Sequence, residues 1–184
     1  MSSLSIDPAT HGCGAALWRR NGQLFLAEYI PSKTESENIV RKCAEAAEEV
    51  YAWMYGLNID EPLETLIVEL PQIYTRGANK TKGDPNKNVL PLAMINAALA
   101  AYFSDAKVVS YQPHAWKGTT KKPENTKVGE YVIMKRVKER LSESELAAVN
   151  WSDSVKHSWD VADAIGLGLH HLGRFERVQV FARE

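Results

Sequence analysis

The chain has 184 residues, 45% of them hydrophobic and 24% charged, with a formal net charge of −1 at pH 7. That length suits one domain spanning residues 1–184 with a core of its own, and the near-neutral sum excludes a uniformly charged polyelectrolyte. Only two cysteines occur, Cys13 and Cys43, and without a C-x-x-C pair they exclude a disulfide framework and a zinc ribbon. No basic flank and apolar core of a signal peptide opens the chain, and the longest uncharged apolar run, residues 89–103, falls short of the roughly 20 residues a membrane span needs, so no membrane association and a cytoplasmic, reducing setting are expected.

In chain order, residues 3–7, 14–19 and 23–29 read as three strands, with Asn21-Gly22 between the last two as a two-residue hairpin signal. From 35 to 57, Ile39, Cys43, Ala46, Val50, Trp53 and Leu57 recur at helical steps while acids take the other faces, which predicts an amphipathic helix. The run TLIVEL, residues 65–70, reads as a central strand stopped at Pro71, and 89–103 as a buried helix. A strand is expected at 106–111 and a helix at about 125–141. Ser142 with Glu145 resembles a capping box for a short helix, and Val161, Ile165, Gly168 and Leu172 mark a last long helix at 158–172. The alternating tail RVQVFA reads as a further strand. Leading hairpins followed by strand–helix alternation predict an α/β domain with an antiparallel half and parallel crossovers.

Charge is sorted along the chain. Residues 35–64 carry eight acids against Arg41 and Lys42, whereas residues 117–140 carry eight bases against Glu124, Glu130 and Glu139. A second basic stretch, TRGANKTKGDPNKN at 75–88, holds Arg76, Lys80, Lys82 and Lys87. A basic stretch alone is ordinarily a solvated helix face, but two on a nearly neutral chain suggest a polyanion held on one side.

Acids occupy unusual places. Asp7 ends the first strand, Glu69 ends the strand after the first helix, and Asp160 and Asp163 are expected to open the final helix about 60° apart on its surface. Taken singly, each has an ordinary explanation: Asp7-Pro8 as turn punctuation, Glu69 as an exposed strand end, Asp160 as a favourable charge near a helix start. Taken together, adjacent strand ends and a helix packed on them would crowd four carboxylates, which repel unless hard cations lie among them. Two Mg²⁺ or Mn²⁺ ions per site suit such oxygen donors and the in-line displacement of a phosphodiester.

These residues resemble the RuvC family of Holliday-junction resolvases, within the ribonuclease H-like nucleases. Ile6-Asp7-Pro8 with Gly14 is similar to the family's first acid motif, Ile67-Val68-Glu69 to its second, and Asp160-Val161-Ala162-Asp163-Ala164 to its closing acid pair. Tyr111-Gln112-Pro113, Lys117 and Lys127 resemble its tyrosine-proline-lysine stretch and the lysine of the next helix. The resemblance implies a ribonuclease H-like, five-stranded mixed sheet, three strands antiparallel and two parallel, flanked by helices, in a homodimer that nicks opposed strands of a four-way DNA junction. Asp7, Glu69, Asp160 and Asp163 would be the catalytic metal ligands. Tyr74, the aromatic nearest the second acid, would meet junction bases, and Arg76, Lys80, Lys82, Lys117, Lys121, Lys122 and Lys127 would contact phosphates. His157, one turn before Asp160, is an auxiliary candidate toward a phosphate. Ala9, where the family has glycine, and TTKKPEN, where it is glycine-rich, look more like a bacteriophage-type member, acting in a host cytoplasm. The nearest alternative is a ribonuclease H-like enzyme acting on an RNA/DNA hybrid or structured RNA.

Overall fold

A computed structural model of the protein describes residues 2–73, 87–117 and 131–175. Three strands come first, β1 (Ser2–Asp7), β2 (Gly12–Trp18) and β3 (Leu24–Pro31), joined antiparallel. Helix α1 (Ile39–Gly56) leads to β4 (Leu63–Glu69), and α2 (Val89–Tyr102) to β5 (Lys107–Tyr111). A single turn α3 (Pro113–Trp116), α4 (Val132–Arg140), α5 (Glu143–Ala147), the short β6 (Val149–Asn150) and α6 (Val155–His171) complete the order.

The sheet runs β5-β4-β1-β2-β3-β6, with β4 parallel to β1, β5 parallel to β4 and β6 parallel to β3. Five strands are as expected. The sixth is a correction: β6 adds two residues beside Ala27 and Glu28, too few for any periodic signal. Strand alternation divides the core between the two faces of the sheet. Leu4, Ile6, Leu66 and Val68 pack with Cys43, Val50, Ile95 and Leu99 of α1 and α2 on one face. Ile67 and Trp18 pack with Trp116, Ile133 and Ile165 on the other. Ser5 and Asp7 share the parity that points away from α1 and α2, and Glu69 follows Ile67 in the same way. Both acids therefore leave the sheet on the α6 side, at the carboxyl ends of parallel neighbours.

What brings α6 down onto that side is small residues and one hydroxyl. A methyl group on Gly14 would lie 2.0 Å from the Asp160 carbonyl oxygen, so only glycine lets the helix backbone touch β2 there. Ser5 Oγ donates to the Ala164 carbonyl at 2.8 Å and accepts the Trp18 indole N–H at 2.9 Å, a buried rivet between β1 and α6.

Several boundaries differ from expectation. Helix α6 starts three residues earlier than the expected 158, so Asp160 and Asp163 lie in its second and third turns, beyond the reach of a first-turn macrodipole effect. The β2–β3 connection is a turn closed by Gly22 N–H to Arg19 C=O at 2.9 Å, with Gly22 at φ 78° and a register shift at Leu17/Trp18. The expected two-residue hairpin would need Asn21 at positive φ as well, and it does not adopt it. Pro113 ends β5 as expected and also opens α3, since a first helical turn needs no N–H from it. Residues 125–130 of the expected 125–141 helix, and the RVQVFA tail, lie outside the described residues. No described helix is long and apolar enough to cross a membrane.

The expected capping box is present in both directions at Ser142 and Glu145. Glu145 does more than cap: it accepts from Leu24 N–H at 3.0 Å and takes Arg174 on both oxygens at 2.8 and 2.9 Å, tying α5 to β3 and to the end of α6. The Arg174 hydrogen bonds, with the Ser142 and Leu24 amides, hold its carboxyl at about 2 against the opposing effect of burial. A depressed carboxyl stabilises the fold above its unfolded value and loses that contribution as pH falls toward 2. Glu145→Gln is accordingly expected to cost about 2 kcal/mol in urea unfolding above pH 5, with the deficit shrinking as pH is lowered toward 2.

Candidate metal centre and nucleic-acid interface

Asp7 pairs with Gly14 across β1 and β2, one step beyond the parallel pair Ile6–Val68, so Asp7 and Glu69 stand side by side at adjacent strand ends. They border a cleft of about 220 Å³ that Pro8, Pro71, Asn88, Leu92 and Pro113 also line. Asn96 on α2 donates to the Glu69 carbonyl at 3.0 Å, which fixes the end of β4 beneath it. A larger cavity of about 450 Å³ lies at the opposite ends of β1 and β4, walled by Tyr55, Asp60, Tyr102 and Asp105, and holds none of the expected site acids.

Asp163, on α6, is only 1% exposed. Between it and Glu69 lies a cation from the chain itself. Lys117 Nζ is 2.9 Å from Glu69 Oε2 and 3.3 Å from Asp163 Oδ2. Lys117, expected to reach a phosphate, is thus turned into the acid cluster, where its ammonium also lies 4.9 Å from the Trp116 ring. Burial works against the ammonium, but the negative charges of Asp163, Glu69 and Asp7 outweigh it and hold Lys117 above its ordinary value. Burial pushes the Glu69 carboxyl up, with Asp163 adding to the rise and Lys117 opposing it. Among the described residues no three acidic, histidine or cysteine side chains are grouped to ligate one ion, and the Lys117 ammonium stands between Glu69 and Asp163.

Two aromatic residues without any motif complete the cluster. The Trp116 indole N–H donates to Glu69 Oε2 at 2.9 Å, and the Tyr131 hydroxyl donates to Asp163 Oδ1. Trp116 is wholly buried, its ring seated where Gly166 has no side chain: a methyl there would come within 2.7 Å of it.

Asp160, whose backbone lies against Gly14 opposite Asp7, acts on groups of β2 and β3. Burial, with Asp160 and Cys13 adding to it, pushes the Tyr29 phenol up to about 12, and burial, with Asp7 and Asp160 adding, pushes the Cys13 thiol up to about 12 against the Ala9 carbonyl contact. His157 stacks flat on Tyr29 with ring centroids 3.8 Å apart, and the Tyr29 hydroxyl donates to the His11 carbonyl at 2.9 Å. Tyr74, Arg76, Lys80, Lys82, Lys121, Lys122 and Lys127 lie outside the described residues.

No protein-family model matches the chain, and no curated protein matches it by sequence. Solved structures do. The Thermus thermophilus RuvC structure is 14% identical, with 96% of this chain covering 99% of that one at a TM-score of 0.54. T. thermophilus RuvC in complex with a Holliday junction substrate is 17% identical over 96% of this chain and 98% of that one, also at 0.54. The yeast mitochondrial Holliday junction resolvase Ydc2 is 14% identical over 90% of this chain and 75% of that one, at 0.57. A mixed sheet carrying Asp7 and Glu69 at neighbouring strand ends, with an acid-bearing helix laid across them, thus has the RuvC-like resolvase fold.

Proposed function

We propose that the protein is a metal-dependent, structure-selective endonuclease that resolves four-way DNA junctions by paired nicks as a homodimer. The observation that carries this reading is the gathering of Glu69 and Asp163 about one cation, with the charge of Asp7 acting on the same ammonium, at the strand ends of a RuvC-like fold. One of the similar structures is T. thermophilus RuvC bound to a Holliday junction.

The donor set suits a hard cation. Its oxygens already surround a positive charge, and the Glu69 carboxyl, raised by burial and further by Asp163, is held back by that cation. Asp7, Glu69, Asp160 and Asp163 would hold two Mg²⁺ or Mn²⁺ ions, which when bound supply an activated water and neutralise charge on the scissile phosphate. The chain's own part is to hold the carboxylates at fixed positions, to give up the Lys117 ammonium as their interim counter-charge, and to exclude bulk water behind them with Trp116 and Tyr131. Phosphate contacts from the basic segments at 75–88 and 117–140 would give affinity without sequence information, so branch shape supplies the selectivity.

The test is cleavage of an immobile synthetic four-way junction with and without 10 mM-scale Mg²⁺ or Mn²⁺, beside an RNA/DNA hybrid duplex. Symmetric nicks in the junction that require the metal are expected. Faster turnover of the hybrid would transfer the reading to a ribonuclease H-like activity on RNA, and no cleavage of either would end the nuclease assignment.

A further inference from the structure

We infer that Tyr131 and Trp116 are positioning residues for the metal-binding carboxylates: neutral donors that keep Asp163 and Glu69 in place whichever cation lies between them. The inference rests on the nuclease reading and concerns two residues that none of the acid motifs includes.

Asp163 is an ionisable side chain within a stretch of α6 that is buried on every side, with Val161, Ala162, Ala164 and Ile165 around it in sequence, all 0% exposed. A carboxylate there needs a donor for each oxygen, since an unpaired buried charge is far costlier than a paired one. Two of its partners are of different kinds. Oδ2 faces the Lys117 ammonium at 3.3 Å, and Oδ1 takes the Tyr131 hydroxyl. Glu69 also combines the two kinds of donor: the Trp116 indole N–H donates to Oε2 at 2.9 Å, and the Lys117 ammonium straddles the carboxylate, 2.9 Å from that same Oε2 and 3.2 Å from Oε1. An ammonium is a charge that a divalent ion can replace. A phenol O–H and an indole N–H are not, because they carry no charge to exchange and are fixed by their rings.

Those rings are held independently of the acids. Tyr131 is 2% exposed, with its ring 5.4 Å from that of Trp159, and it stands at the residue preceding α4, where its side chain caps no helix amide. Trp116 fills the notch at Gly166. Each donor therefore comes from the α3–α4 side of the site and clamps a carboxylate belonging to another element, Glu69 on β4 or Asp163 on α6. Outer partners of this sort fix the orientation of ligand side chains, and their loss typically lowers metal affinity ten- to a hundredfold.

Tyr131→Phe removes one oxygen and keeps the ring. Calorimetric titration of the DNA-free variant with Mn²⁺ is expected to show about tenfold weaker binding than wild type. In an Asp163→Asn background the same change is expected to add less than a twofold loss, since the carboxylate it orients is gone. Glu145→Gln, remote from the site, serves as a destabilised control whose Mn²⁺ affinity is expected to match wild type. Should Tyr131→Phe unfold at the working temperature, Trp116→Phe reads the same property through Glu69. Unchanged Mn²⁺ affinity in a folded Tyr131→Phe overturns the inference while leaving the nuclease reading intact. A folded wild-type protein that takes up no Mn²⁺ overturns that reading, and this inference with it.

Discussion

Asp7→Asn is expected to reduce metal-dependent nicking of a four-way junction at least about a thousandfold, roughly 4 kcal/mol of barrier, while junction binding measured in EDTA stays within about threefold of wild type. The asparagine has the shape of the acid it replaces and sits at the same strand end, opposite Gly14, so the chain there has no reason to move. What it lacks is charge. Asp7 contributes to the field on the Lys117 ammonium and on the Tyr131 hydroxyl, which places it in the same electrostatic unit as Glu69 and Asp163. Removing one of three negative charges weakens the hold on a doubly charged ion more than on the singly charged ammonium, so uptake of the divalent ion suffers first. Affinity for DNA comes from phosphate contacts made by cations elsewhere, and losing a negative charge beside a polyanion does not oppose them. A rate measurement on pre-formed complexes separates the two quantities, and near wild-type nicking by a folded Asp7→Asn protein would remove Asp7 from the chemistry.

Asp7 and Glu69 were legible because two local features coincide at each of them. An apolar residue is followed directly by a group that resists burial, and a proline follows within two positions, so both the end of the strand and the exit of its last side chain can be read from the chain. Alternation along β1 and β4 then puts the two acids on one side without further information. The final helix was harder. Its apolar stripe begins at Val161, while the helix itself begins at Val155 through a polar first turn, and a buried Asp163 inside a run of buried residues is indistinguishable in sequence from an exposed one.

Lys117, Trp116 and Tyr131 mark where sequence reading stops. Lysine in a basic segment reads as a phosphate contact because its charge is visible and its partners are not. Glu69 lies 48 residues away and Asp163 46 residues away, and only tertiary packing brings them to it. The two aromatic donors gave no signal beyond their capacity to bury a ring and still need a polar partner. Short β6 escaped for the simplest reason: two residues cannot show a period.

Lys117→Met should lower stability by about 3 kcal/mol at pH 8 in urea unfolding, the lower end of the cost of removing one partner from a buried ion pair. Methionine keeps most of the length and the contact with Trp116 while deleting the ammonium. The side chains concerned are 15% exposed at Lys117, 15% at Glu69 and 2% at Asp163, so solvent does little to screen the two acids left facing each other. The pH dependence follows from Glu69, whose carboxyl is already raised by burial and must rise further once Lys117 no longer opposes the shift. A carboxyl raised above its unfolded value is neutral in both states at low pH and adds no penalty there; the penalty grows as pH climbs through the raised folded value. The variant is therefore expected to approach wild-type stability near pH 4 and to fall away from it toward pH 8. Divalent ions should reverse the loss. Binding to the folded state alone adds about 2.7 kcal/mol at a hundredfold excess over Kd, and in Lys117→Met no ammonium has to leave first, so Mn²⁺ is expected to raise Tm more in the variant than in wild type. Equal stability of the two proteins at pH 8, with no response to acid or to Mn²⁺, would mean that the ammonium does not balance these carboxylates, and the cluster would lose its claim to be a cation site.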